Sequence, residues 1–251
     1  MTRHNPPCRL LLDPPADGAW NMAVDEVLLA TAAETGQVSL RLYEWSQPTL
    51  SLGYFQAYED RQQHAASGDC AVVRRMTGGG AILHDRELTY SFCWSEETAG
   101  RRADFKWLYD AVHDTWRAEL AARSIVVEPA NDRASGSDQD AFLCFQRLGQ
   151  HDVVVDRTKI VGSAQRRRKS AVLQHGSILL ATSPRAPEVP GLRQLQANAV
   201  ECRNLRQSWP RRLAAQLGLE LAPASLSDCE VRQAGELVRV KYGSTGWSRR
   251  R

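Results

Sequence analysis

Apolar residues recur at helical spacing in two segments of the chain. Between Trp20 and Ala33, the residues Met22, Val27 and Leu28 are expected to face a core. The segment Asp104–Arg123 shows the period most clearly, with its apolar positions at Phe105, Leu108, Val112, Trp116 and Leu120. Both segments are therefore predicted to be amphipathic helices.

Shorter apolar or alternating segments predict strands. They are Arg9–Leu12, Ser39–Trp45, Thr49–Leu52, Cys70–Met76, Leu88–Trp94, Asp152–Val155, Lys159–Gln165 and Val172–Leu180. Because Ser39–Trp45 alternates strictly and Pro48 separates it from Thr49–Leu52, these two strands are predicted to form a hairpin. The chain from Pro190 onward is predicted to be mostly helical, with proline breaks.

Strands and helices interleaved in this way predict an α+β fold of mixed β-sheets flanked by helices, in a single domain over residues 1–251. The polar stretch Asn131–Asp140 has no apolar residue larger than alanine and is predicted to be a mobile loop just before Cys144. The basic run Arg166–Lys169 is typical of a solvated hairpin turn.

Composition narrows the function classes. A hydrophobic content of 43% suffices for a core, and no stretch of 18 apolar residues interrupts the chain, so we expect a cytoplasmic protein without membrane contact. The six cysteines show neither CxxC pairs nor zinc-finger spacing, which predicts no disulfide framework and no metal site. A net charge of +3 is too small for a dedicated nucleic-acid binder but suits a small acidic protein partner.

The first candidate for chemistry is a glycine loop between two strands. Arg74 and Arg75 stand at the end of a strand, Gly78–Gly80 follow, and a second strand with His84 comes after them. Glycines let a backbone approach a ligand closely and present bare N–H groups. A Walker loop is excluded because no Gly-Lys-Ser/Thr follows, and a tight turn is the alternative interpretation.

The second candidate is a pair of strands that carry small residues where core strands prefer bulky ones. These residues are Gly162, Ser163 and Ala164 on the first strand, and Gly176 and Ser177, after His175, on the second. A slender apolar chain would fit such a channel, and Lys159 at its mouth could hold a carbonyl or a phosphate. A hairpin with glycine bulges is the alternative.

These segments, together with Asn21–Glu26, resemble the signature blocks of the lipoate-protein ligase A and octanoyltransferase (LipM) family. The resemblance covers roughly Arg9–Leu180 and implies the biotin/lipoate protein ligase catalytic fold, which is class II synthetase-like. It also implies that the glycine loop and the lysine strand line a tunnel for an octanoyl or lipoyl chain. By the match, Lys159 would contact the acyl carbonyl, with these residues around the pocket: Arg74, Arg75, Gly78, Gly79, Gly80, His84, Gly162, Ser163, Ala164, His175 and Gly176.

Cys144 distinguishes the branches of this family. The pair Cys144-Phe145 stands fifteen residues before Lys159 and resembles the catalytic cysteine of the LipM-type octanoyltransferases. A cysteine with an ordinary pKa of about 8.5 is only slightly ionised at neutral pH, so a nearby ammonium such as that of Lys159 would favour the reactive thiolate. The other five cysteines, Cys8, Cys70, Cys93, Cys202 and Cys229, are expected to be small buried hydrophobes.

The resemblance implies a ping-pong transfer. An octanoyl-acyl carrier protein would acylate Cys144, and a lysine of a lipoyl domain, such as the glycine-cleavage H protein or a dehydrogenase E2 subunit, would receive the group without ATP. His84 and His175 are candidate bases for that lysine.

The alternatives are an ATP- and Mg-dependent lipoate-protein ligase with a separate accessory domain, an amidotransferase that uses an octanoylated H protein, and a non-catalytic binding protein. Three glycines at 78–80 and the absence of a proline-serine element after Cys144 are departures from the transferase pattern.

Overall fold

The computed structural model describes residues 5–99, 104–128, 140–196 and 202–250. Almost all of the predicted loop at 131–140 lies outside the described residues. Within these ranges the strands are β1 Pro7–Leu12, β2 Val38–Tyr43, β3 Thr49–Leu52, β4 Ala71–Arg74, β5 Ile82–His84, β6 Glu87–Ser95, β7 Val153–Val155, β8 Thr158–Arg168, β9 Ala171–Leu179 and β10 Glu220–Ala224. The α-helices are α1 Gly18–Thr35, α2 Glu96–Ala99, α3 Phe105–Ala121, α4 Leu192–Leu195, α5 Cys202–Leu217, α6 Asp228–Leu237 and α7 Thr245–Ser248.

Two mixed sheets organise the fold. The larger has the order β10-β1-β2-β6-β9-β8-β7, in which β10, β1 and β2 are parallel and the remaining pairs are antiparallel. The smaller has the order β4-β3-β5, with β3 parallel to β4 and antiparallel to β5. The predicted α+β fold of mixed sheets flanked by helices is confirmed.

The helices cover the two faces of the large sheet. On one face α3 and α5 pack through Trp116 and Trp209, whose rings stack 4.0 Å apart in the main core cluster. On the other face lies α1, which begins at Asp17, whose side chain accepts from the Trp20 N–H, and ends at Gly36 with φ +77. Since a left-handed residue after a helix favours glycine, Gly36 is a natural stop.

Two predictions about strand partners are wrong. Ser39–Trp45 and Thr49–Leu52 do not form a hairpin, because β2 belongs to the large sheet and β3 to the small one. The chain after Pro190 is mostly helical but also contains β10, which extends the large sheet beside β1. The predicted hairpin between β8 and β9 is confirmed, but its turn is at Lys169 and Ser170, and Arg166–Arg168, expected in the turn, are paired residues of β8. No helix of the described ranges is long and apolar enough to cross a membrane.

Candidate functional site

A narrow, mostly apolar pocket lies between the two sheets. The glycine loop and β5 form one wall of the pocket, and β8 and β9 form the opposite wall. The sequence-predicted site residues that line it are Arg75, Gly78, Gly79, His84, Cys144, Gly162, Ser163, Ala164, His175 and Gly176. Apolar and aromatic side chains also line it, namely Met22, Tyr43, Trp45, Ile82 and Phe145, together with the hydroxyl residues Thr89 and Ser177.

Cys144 begins a short 3₁₀ turn, Cys144–Gln146, that is tied to the glycine loop. The Ala81 N–H donates to the Phe142 carbonyl over 3.1 Å, and the Cys144 N–H donates to the Ala81 carbonyl over 2.7 Å. A Cβ at Gly80 would lie 3.3 Å from both the N and Cα atoms of Cys144. The third glycine of the loop is thus explained by close packing against the cysteine segment.

Lys159 approaches Cys144 because of a β-bulge in β8. Val161 pairs with Val153 and Lys159 pairs with Val154, so Ile160 is an extra residue in the ladder. The Lys159 side chain then lies over Gly162, where a Cβ would be 2.4 Å from Lys159 Cε. Its Nζ is 3.8 Å from Cys144 Sγ and 3.5 Å from the Cys144 carbonyl oxygen.

Asp152 is the third member of this cluster, and sequence reasoning placed it only at the start of a strand. Its Oδ2 lies 2.8 Å from Lys159 Nζ and accepts from the Gly149 N–H over 2.8 Å. Tyr109 of α3 donates its hydroxyl to the other oxygen over 3.2 Å. The available signal in the sequence was an acidic residue directly before a run of three valines.

Burial and charge compete at Lys159, whose residue exposure is only 6%. Burial alone would lower its pKa, but the negative charges of Cys144 and Asp152 raise the pKa above the ordinary lysine value. The ammonium is therefore retained at neutral pH beside the cysteine sulfur. A cation at this distance can stabilise a thiolate or an oxyanion formed at Cys144.

The two neighbouring arginines have different positions. Arg75 binds the carbonyls of Ser51, Gly78 and Gly80, which holds the glycine loop in place, and its buried Nε has no partner among the described residues. Burial lowers the pKa of Arg75 to about 10, and the charge of Cys144 opposes that shift. Arg75 therefore remains a cation at the pocket wall.

Arg74 does not line the pocket, which corrects the expectation that it surrounds the ligand. It is fully buried and donates to the carbonyls of Gly53, Gln56 and Ser248 over 2.7–3.2 Å. Consecutive residues of an extended chain point to opposite sides, so only one of the two arginines can face the pocket. Arg74 instead fastens the C-terminal turn to the small sheet.

The two candidate bases, His84 and His175, are both engaged in the scaffold. His84 stacks on Trp45 at 3.9 Å and bonds Glu87 through Nδ1 over 2.6 Å and the Ser51 hydroxyl through Nε2 over 2.7 Å. Burial lowers the pKa of His84 although Glu87 opposes the shift, so it is neutral at neutral pH. Both ring nitrogens of His84 are therefore hydrogen-bonded within the protein.

His175 links three elements. Its Nδ1 donates to Asp25 Oδ2 over 2.9 Å, and its Nε2 forms a 2.7 Å hydrogen bond with the Thr77 hydroxyl. Asp25 on α1 also accepts from Arg41 and Tyr43 over 3.0 Å each. This buried network anchors the glycine loop to α1, and it explains the acidic residue in the Asn21–Glu26 block that sequence reasoning noted only by resemblance.

The small residues of β8 and β9 have protein atoms against them. Gly162 accommodates the Lys159 side chain, and a Cβ at Gly176 would lie 2.4 Å from the Gly162 carbonyl and 2.9 Å from the Tyr90 ring. Both glycines line the pocket as expected, but these protein contacts already require glycine at the two positions. Ser163 Oγ lies on the α3 side, 2.5 Å from both Tyr90 Oη and His113 Nε2.

Cysteine exposure separates Cys144 from three of the others. Cys8, Cys70 and Cys93 are buried as expected, whereas Cys144 is partly accessible. Cys229 is exposed on α6, so its expected burial is wrong. The Cys202 side chain lies outside what the structure describes.

Comparison with known proteins gives consistent matches. Residues 17–196 match the model of the lipoyl protein ligase A/B catalytic domain. The chain is 33% identical over 263 residues to the octanoyltransferase LipM of Brevibacillus brevis, covering 93% of this chain and 95% of that protein. It is also 33% identical over 273 residues to the octanoyltransferase LipM of Kyrpidia tusciae, covering 97% and 98% of the two chains.

Solved structures share the fold at lower identity. A lipoate-protein ligase A bound with ATP superposes with a TM-score of 0.78 at 21% identity, covering 97% of this chain and 98% of that one. A bi-partite lipoate protein ligase from Thermoplasma acidophilum also gives a TM-score of 0.78 at 21% identity, covering 98% and 97%. At such identities these likenesses establish the fold alone.

Proposed function

The chain belongs to the lipoyl protein ligase A/B catalytic domain family, and from that premise we propose that it is an acyltransferase that moves an octanoyl group onto a lysine of a lipoyl-domain protein. Its relatives named octanoyltransferase LipM support the reaction type. The single observation that carries the mechanism is the 3.8 Å approach of Lys159 Nζ to Cys144 Sγ at the wall of an apolar pocket.

The first half-reaction is the attack of the Cys144 thiolate on an octanoyl thioester of an acyl carrier protein. The bond from the carbonyl carbon to Cys144 forms, the bond to the carrier sulfur breaks, and the carrier leaves as a thiolate. Lys159 lies where it can donate to the developing oxyanion. The wall of Met22, Tyr43, Trp45 and Ile82 suits an unbranched hydrocarbon tail.

In the second half-reaction the neutral amine of an acceptor lysine attacks the enzyme thioester, so that the C–N bond forms and the C–S bond breaks. Cys144 leaves as a thiolate, and the amine releases one proton to solvent. A thioester is already activated, so this route uses neither ATP nor Mg²⁺. His84 and His175 both line the pocket and remain candidates for the base in this step, each with its two ring nitrogens hydrogen-bonded within the protein.

The rival function is an ATP-dependent lipoate ligase, to which the three glycines at 78–80 also pointed. Because Gly80 is explained by its contact with the Cys144 backbone, that feature no longer favours a ligase. A cysteine nucleophile beside a lysine cation has a chemical role in the transferase mechanism, whereas the ligase mechanism uses no cysteine.

Intact-protein mass spectrometry tests the proposal. The purified enzyme is mixed with octanoyl-carrier protein without ATP, beside a Cys144→Ala control. We expect a hydroxylamine-sensitive gain of one octanoyl group on the wild type alone, followed by its transfer to a lipoyl domain. Equal modification of a lipoyl domain by both proteins, with octanoate and ATP required, would replace the transferase by the ligase.

A further inference from the structure

One ammonium at the site is shared by two acidic groups of different character. Lys159 Nζ forms a 2.8 Å ion pair with Asp152 and lies 3.8 Å from Cys144 Sγ. Asp152 is itself 2% exposed and is held by the Gly149 N–H and the Tyr109 hydroxyl. These two hydrogen bonds hold the Asp152 carboxylate in an orientation that suits an ion pair with a cation.

The chemistry of the cycle changes only one of these two partners. As a thiolate, Cys144 supplies a negative charge beside Lys159. Once Cys144 is acylated, its sulfur is neutral. Without another negative charge nearby, the buried ammonium of Lys159 would then pay the full cost of its desolvation. Among the described residues, Asp152 is the carboxylate that contacts Lys159 at that stage.

We propose that Asp152 is a positioning residue that holds Lys159 as a cation beside the thioester, and so serves the transfer to the acceptor lysine more than the acylation of Cys144. This inference rests on the proposed function. In the transfer step the acceptor amine attacks the thioester carbonyl, the C–N bond forms, the C–S bond breaks, and the amine proton leaves to solvent. Lys159 donates to the carbonyl oxygen as negative charge develops there.

Other groups around Lys159 do not replace Asp152. The Phe145 ring lies 5.5 Å from Nζ and carries no charge. His113, on α3 behind the cluster, has its pKa lowered to about 4 by burial and is neutral, and Tyr109 retains its proton because burial and Asp152 raise its pKa. Arg75, which faces Cys144 from the end of β4, has the same sign as Lys159.

The titration of Lys159 tests this directly and needs no acyl transfer. The chain has only four lysines, so ¹³C-lysine labelling gives separable NMR signals over pH. In a Cys144→Ala background, where no thiolate exists, we expect the Lys159 pKa to stay at or above its ordinary range. Adding Asp152→Asn should lower that pKa below the ordinary range, because burial then dominates.

A matched control removes a different buried carboxylate. Glu119 is 1% exposed and pairs with Arg123 and Arg212 between α3 and α5, away from the pocket. In the Cys144→Ala background, Glu119→Gln should leave the Lys159 titration unchanged. If Asp152→Asn also leaves it unchanged, Asp152 does not maintain the cation and the proposal is overturned.

The two half-reactions give the second readout, in protein with native Cys144. We expect Asp152→Asn to form the octanoyl-enzyme at a rate within about threefold of wild type, but to pass the group to a lipoyl domain about 100-fold more slowly, comparable to the loss of one oxyanion donor. Asp152→Glu, which restores the charge, should recover part of the transfer rate. An equal loss in both steps, or no recovery in Asp152→Glu, would show a merely structural role.

The two proposals fail in different ways. If the wild type forms no octanoyl-enzyme, the proposed function is wrong, and the Lys159 titration still decides whether Asp152 maintains the cation. If the wild type is acylated and transfers normally while Asp152→Asn does the same, the proposed function stands and the role of Asp152 is refuted.

Discussion

Gly162 offers the sharpest test of whether the position of Lys159 controls the chemistry. A Cβ at residue 162 would lie 2.4 Å from Lys159 Cε and 3.0 Å from its Nζ. Gly162 is not among the glycines with positive φ in the described chain, so alanine meets no backbone strain there. The three protein atoms nearest to the new methyl group all belong to the flexible end of the Lys159 side chain, so Gly162→Ala acts first on the position of that lysine.

The size of the displacement follows from van der Waals contact. Carbon atoms pack at about 3.5 Å or more, so Cε must move by about 1 Å from its 2.4 Å position relative to the new methyl group. A shift of that size would alter the 3.8 Å contact between Nζ and Cys144 Sγ. Misplacement of a catalytic group by about 1 Å can cost about 100-fold in rate.

We expect Gly162→Ala to slow octanoyl-enzyme formation about 100-fold, and to lower the free energy of unfolding by no more than about 2 kcal/mol, as for overpacking that a side chain can relieve. Rapid-quench mass spectrometry measures the first quantity, and urea unfolding the second. The matched control is Gly235→Ala on α6, where a Cβ would meet no atom within 4 Å. That variant should keep full activity and gain about 0.5–1 kcal/mol of stability. Full acylation activity in folded Gly162→Ala would refute the requirement for Lys159 at its observed position.

Two further predictions concern residues behind the site. Arg74→Ala should cost about 3 kcal/mol or more in urea unfolding, because it leaves the Gly53, Gln56 and Ser248 carbonyls without their charged donor; an unchanged midpoint would contradict its role as an anchor. His113 has its pKa lowered to about 4 by burial, so it binds fewer protons when folded than when unfolded. Its contribution to stability is complete above the ordinary histidine pKa and is lost as the pH falls toward 4. Unfolding measured between pH 7 and 4.5 should therefore depend less on pH in His113→Asn than in the wild type; an identical pH dependence would count against this assignment.

Part of the candidate site was predictable because its chemistry is encoded locally. The spacing of Cys144 and Lys159, the glycine loop and the pair of small-residue strands led to residues that the structure brings to one pocket. Asp152 was missed because its ion pair with Lys159 depends on the bulge at Ile160, which turns the Lys159 side chain toward Asp152. A one-residue insertion in a ladder leaves no reliable mark in the pattern of polar and apolar residues.

The sequence by itself determined the elements. Helical periodicity located α1 and α3, and alternation or apolar runs located most strands, because each signal is carried by residues that are neighbours along the chain. Family blocks then located the loop, the lysine and the cysteine.

Only the tertiary structure decided which elements meet. Alternation of polar and apolar residues does not show that β2 and β3 belong to different sheets. The sequence near Glu220 does not indicate that β10 pairs with β1. Likewise the sequence could not decide which of Arg74 and Arg75 faces the pocket. These choices depend on contacts between residues far apart in sequence, whose energies are settled by burial and hydrogen bonding in the complete fold and not by local preference.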